Sequence, residues 1–125
     1  MNKIEYGMKL DFSNVLIRPK RSTINSRSEV SLERTFKFKY SPLEWKGTPI
    51  ISANMDTTGT FEMYHVLKKH KIVTATHKFY TEYDYIEALN EGGLDPDYFM
   101  VSTGIGAGSL ERLEKIFKYV DCHWI

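Results

Sequence analysis

From Thr48 onward, short apolar or β-branched runs alternate with amphipathic segments, the pattern that consecutive βα units produce when they build a parallel sheet. The run Thr48-Pro49-Ile50-Ile51-Ser52-Ala53-Asn54-Met55 predicts a first strand. Thr60 then offers an N-cap to a helix with Met63, Val66 and Leu67 on one face. Lys71-Ile72-Val73-Thr74-Ala75-Thr76-His77 predicts a second buried strand. Thr81, with Asp84 three residues on, has the form of a capping box; Tyr85, Ile86 and Leu89 supply a helical face, and Gly92-Gly93 ends it. Tyr98-Phe99-Met100-Val101-Ser102 predicts a third strand. Ser109 is placed to cap a third helix, in which Leu110, Leu113, Ile116, Phe117 and Val120 recur on one face. Cys122-His123-Trp124-Ile125 then starts a fourth strand.

The residues before Thr48 follow another pattern. Residues 11–17 form a short apolar strand candidate, and Val30, Leu32, Phe36, Phe38 and Tyr40 fit a half-buried hairpin interrupted at Arg34. The expected organisation is one domain over 1–125. An N-terminal β cover spans 1–47, and 48–125 hold about three βα units and the start of a fourth strand. A parallel sheet needs both faces covered and its edges closed or protected. So small a sheet leads us to expect a piece of a larger α/β domain.

Composition narrows the function classes. Seventeen basic and sixteen acidic side chains nearly cancel, so no global field draws the chain to nucleic acid or anionic lipid, and neither is expected as a partner. One cysteine, Cys122, permits no internal disulfide and fits a reducing compartment. No stretch approaches the roughly 20 apolar residues of a membrane span, and a cytoplasmic location is expected.

Candidate chemistry gathers where the strands run out, because parallel α/β proteins place ligands beyond the carboxyl ends of their strands. Three clusters fall there: Asn54-Met55-Asp56-Thr57, His77-Lys78 and Ser102-Thr103-Gly104. Together they offer amide, carboxylate, imidazole, ammonium and hydroxyl groups, although polar strand ends occur in any protein. Gly104-Ile105-Gly106-Ala107-Gly108 lies between a strand and a helix, but its spacing is G-x-G-x-G and not the G-x-G-x-x-G of a dinucleotide fingerprint. It reads either as a weak phosphate loop or as an ordinary βα loop. The basic stretch Arg18-Pro19-Lys20-Arg21, with Ser26-Arg27 beyond it, could bind phosphate or simply be solvated. Cys122 and His123 are strand neighbours facing opposite sides and cannot form a dyad with each other. His65, His70 and the scattered acids show no metal-ligand spacing.

Several of these strings, read together, resemble the opening of GMP reductases. They are Lys9-Leu10-Asp11-Phe12, Val15-Leu16-Ile17-Arg18-Pro19-Lys20-Arg21-Ser22-Thr23 and Ser26-Arg27-Ser28, then Pro49-Ile50-Ile51-Ser52-Ala53-Asn54-Met55-Asp56-Thr57, Gly59-Thr60-Phe61, Thr74-Ala75-Thr76-His77-Lys78 and Ser102-Thr103-Gly104. The order is that of the family and covers nearly the whole chain. IMP dehydrogenases share the barrel but typically carry proline where this chain has Asn54, and insert a regulatory domain after the second strand. Here Lys78 runs within three residues into the Thr81 helix, which favours the reductase. Gly106-Ala107-Gly108 departs from the family pattern.

The resemblance implies a partial TIM (β/α)8 barrel and an NADPH-dependent reductive deamination: GMP gives IMP and ammonia. In the family a cysteine attacks the purine C2 carbon and hydride reaches the resulting thioimidate. That cysteine, the potassium-binding loop and the GMP phosphate loops are expected beyond residue 125, so no residue here is assigned a catalytic role and no turnover is expected of the chain alone. Ser26, Arg27 and Lys78 match NADP-binding positions, with Ser26 and Arg27 reaching a cofactor shared with a neighbouring subunit of a homotetramer. Asn54, Met55 and Asp56 match the substrate rim. Alternatives are a non-catalytic fragment that joins a complete reductase or a complementing chain, an IMP dehydrogenase-like fragment, and a small nucleotide-binding domain using Gly104 to Gly108.

Overall fold

The computed structural model describes residues 6–125; the first five residues of the expected cover lie outside the described residues. The chain divides into two compact units between Val30 and Ser31.

In the first unit the strand expected over 11–17 does not form. Asp11 accepts a hydrogen bond from the Phe12 N–H at 2.7 Å, and its own N–H donates to the Asn14 side chain at 3.0 Å. These short polar side chains draw the backbone into a single 3-10 turn, Phe12–Asn14. A second 3-10 turn, Arg27–Glu29, is capped by the Ser26 hydroxyl, which accepts from the Ser28 N–H. None of the described residues of this unit is buried.

The second unit opens with an antiparallel hairpin, β1 (Arg34–Lys37) and β2 (Glu44–Gly47), in which Phe36 faces Trp45. Trp45 is buried and its indole N–H donates to the Asp97 carbonyl at 2.7 Å, tying the hairpin to the α/β layer. Three short parallel strands follow in spatial order β3-β4-β5: β3 (Ile51–Ser52), β4 (Val73–Ala75) and β5 (Phe99–Met100). The sheet is open, not a closed barrel. Each strand is shorter than the apolar run that predicts it.

The helices are α1 (Phe61–Leu67), α2 (Glu82–Gly92) and α3 (Ser109–Phe117). Thr60 caps α1 through its hydroxyl, and Asp84 accepts from both the N–H and the hydroxyl of Thr81 at the start of α2. The Thr81 N–H bond holds the Asp84 carboxyl below its ordinary pKa. Gly93 ends α2 at φ +69°, a conformation only glycine adopts without strain.

Three expectations require correction. The inward face of α1 is set by Tyr64, fully buried, whereas Val66 is 54% exposed. The α3 cap is Gly108 and not Ser109, which is the first helical residue, and Leu110 faces solvent. Residues 122–125 form no strand; a single bond from the Val101 N–H to the Trp124 carbonyl, 3.1 Å, aligns them with the β5 segment.

The core comprises Tyr64, Tyr85, Phe99, Val101, Leu113, Ile116 and Val120. Tyr85 shares a 2.6 Å hydrogen bond with Thr76, whose hydroxyl also reaches the Met100 carbonyl. Burial pushes the Tyr85 phenol up to about 12. A folded-state pKa above the unfolded value near 10 means that the contribution is complete below pH 10 and is lost as pH rises toward 12. Denaturant melts at stepped pH are therefore expected to show stability falling across that window. Tyr85→Phe should flatten part of the decline and cost about 1 kcal/mol at pH 7.

Candidate functional site

The carboxyl ends of β3, β4 and β5 lie along one edge of the sheet, and the three polar clusters follow them. After β3, the Met55 carbonyl accepts from the N–H groups of Thr58 and Gly59, folding 54–59 into a tight turn. This turn rests on the end of β4: the His77 N–H donates to the Gly59 carbonyl at 2.9 Å. A Cβ on Gly59 would lie 2.4 Å from the Ala75 carbonyl, so only glycine permits the approach. Asn54 spans from the first strand end to the third, its amide donating to the Ser102 hydroxyl at 3.2 Å. Met55 and Asp56 are exposed on the same turn.

After β4, the His77 ring stacks on Tyr80 at 3.8 Å between centroids, and Tyr80 stacks on Phe61 at 4.2 Å. The Tyr80 hydroxyl accepts from the Phe61 N–H, and burial raises its phenol pKa. This ladder of rings fixes the backbone on either side of Lys78. Lys78 itself is exposed and lines an open pocket of about 460 Å³. Thr103, Gly104, Gly106 and Ser109 form another part of its wall, and Arg112 completes it from α3.

The pocket joins two cationic side chains to two hydroxyl-bearing ones, next to a glycine-rich backbone that also carries the exposed Ile105. That donor set suits an anionic oxygen ligand such as a phosphate ester. Of the three cofactor candidates, Lys78 lines this pocket. Ser26 and Arg27 belong to the first unit, where Ser26 is engaged in its turn and Arg27 is exposed. Sequence reasoning missed Arg112, which reads as one more charge on the polar face of α3, and Ser109, which it took for a cap.

Cys122 is unsuited to nucleophilic work. It is partly buried, its thiol donates to the Trp124 carbonyl at 2.9 Å, and burial raises its pKa. Among the described residues, no three His, Cys, Asp or Glu side chains are grouped to hold a metal ion, and no helix is long and apolar enough to cross a membrane.

Fold and pocket together define an open parallel α/β protein with a cationic pocket beyond its strand ends. Over 118 residues the chain is 49% identical to the GMP reductase of Yersinia pestis (strain Pestoides F), a match covering 91% of this chain and 33% of that protein. The GMP reductases of Yersinia pseudotuberculosis serotype O:1b (strain IP 31758) and serotype O:3 (strain YPIII) match to the same extent. The chain is homologous to GMP reductases over these residues, and it spans about a third of the length of the curated relatives it matches. No family model matches it.

Proposed function

We propose that this chain supplies the cofactor-binding rim of a GMP reductase, an enzyme that reductively deaminates GMP to IMP and ammonia with NADPH. The observation that carries this reading is the position of Lys78. The residue lies in a string that resembles the family's, and it lines an open pocket together with Thr103, Gly104, Ile105, Gly106, Ser109 and Arg112. NADPH, when bound, supplies the hydride. The chain's own residues bind and orient: Lys78 attracts the anionic cofactor, and the turn carrying Asn54, Met55 and Asp56 shapes the substrate side of the rim. Ser26 and Arg27 extend from the first unit toward the cofactor of a neighbouring subunit in a homo-oligomer. Cys122, with its raised pKa and carbonyl-bonded thiol, is not the attacking group.

The chain itself allows a test. Fluorescence titration with NADPH at low salt is expected to saturate, and Lys78→Ala should weaken binding about tenfold through loss of a charge-assisted contact. An identical titration curve for the variant, or no saturable binding by the unaltered chain, would exclude Lys78 as the anchor.

A further inference from the structure

We infer that Arg112 is a positioning residue that grips the two loops framing the Lys78 pocket and so holds the pocket open for the anionic cofactor. The inference rests on the cofactor reading above, but its geometry is independent of it. From the middle of α3 the guanidinium donates through Nε to the Tyr80 carbonyl at 2.9 Å, again through Nη2 to the same oxygen, and through Nη1 to the Ser102 carbonyl at 3.0 Å. Tyr80 closes the loop after β4 that carries Lys78, and Ser102 begins the loop after β5 that carries Thr103, Gly104 and Gly106. One side chain therefore joins successive βα loops on two sides of one cavity.

The loop after β4 is also braced by the Phe61–Tyr80–His77 ring ladder, and Arg112 links it to the loop after β5. The loop after β5 is rich in glycine, and its Thr103 hydroxyl reaches only the carbonyls of Gly104 and Ser109, at 3.2 and 3.5 Å. The bonds of Arg112 go to neutral carbonyls, so among the described residues no ion-pair partner cancels its charge, which adds to that of Lys78 at the pocket wall. Bridging two carbonyls takes the planar, multi-donor fork of arginine; a lysine ammonium on a flexible stem keeps the charge but not the span.

Hydrogen exchange by mass spectrometry on the full chain, with and without NADPH, tests the grip. In Arg112→Ala, peptides covering 78–80 and 102–106 should exchange on the order of tenfold faster, while α1 and α2 stay as protected as before. Arg112→Lys should fail to restore this local protection, and both variants should bind NADPH more weakly. Unchanged local exchange, restoration by lysine, or equal acceleration throughout the chain would overturn the grip. Loosened loops with unaltered NADPH affinity would overturn its service to the cofactor. Loosened loops in a chain whose unaltered form binds no NADPH would uphold the grip and overturn the cofactor reading instead.

Discussion

Replacing Gly59 by valine is expected to lower stability by roughly 3 kcal/mol, on the order of 10 °C in Tm, and to disorganise the 54–59 turn. The added Cβ alone would lie 2.4 Å from the Ala75 carbonyl and 3.0 Å from both the Asn54 Cα and the His77 nitrogen. All three are backbone atoms, two of them on the β4 segment, so no flexible side chain can move aside. Relief requires the 54–59 turn to lift off the strand. That motion breaks the His77 to Gly59 hydrogen bond and withdraws Asn54 from Ser102. Gly106→Ala provides the control: nothing lies within 4 Å of a Cβ there, and the change should be close to neutral. Thermal melts of the two variants decide the matter. A Gly59→Val chain melting with the unaltered protein would show that the turn is not packed as described.

What the sequence revealed was what local chemistry dictates. Thr60 and the Thr81–Asp84 pair were legible as caps because a cap is satisfied by residues three positions away. The alternation of apolar runs and amphipathic segments likewise predicted three parallel strands and three helices in the right order. Long-range packing was not legible. Tyr64 was passed over on α1 because a hydroxyl makes it look half-polar, yet that oxygen accepts the Asp95 N–H at 2.7 Å, which makes full burial of the ring affordable. Residues 11–17 are apolar enough for a strand, but Asp11 and Asn14 close a turn on themselves first.

The candidate site was legible in the same uneven way. Polar residues at strand ends marked the rim; of Ser26, Arg27 and Lys78, which the family resemblance singled out, Lys78 lines the open pocket. Nothing in the helical pattern of α3 distinguished Arg112 from the other charges on its polar face. Its partners, Tyr80 and Ser102, are 32 and 10 residues away and offer backbone carbonyls, which carry no sequence signature. The tie between Asn54 and Ser102 across β4 is hidden for the same reason.

The central claim, that these residues form the NADPH side of a GMP reductase, is tested most directly by steady-state kinetics. The enzyme for that measurement is this chain joined to the part of a Yersinia GMP reductase that the match does not cover. Arg27→Ala removes a charge-assisted contact and is expected to raise the KM for NADPH far more than that for GMP. Lys78→Ala should lower kcat as well, because a cation beside the reacting groups stabilises charge that develops in the transition state. Each contact should be worth roughly 1.5 to 3 kcal/mol, on the order of ten- to a hundred-fold in kcat/KM for NADPH. Unchanged NADPH kinetics in both variants, with the assembly intact, would contradict the assignment of the cofactor rim to these residues.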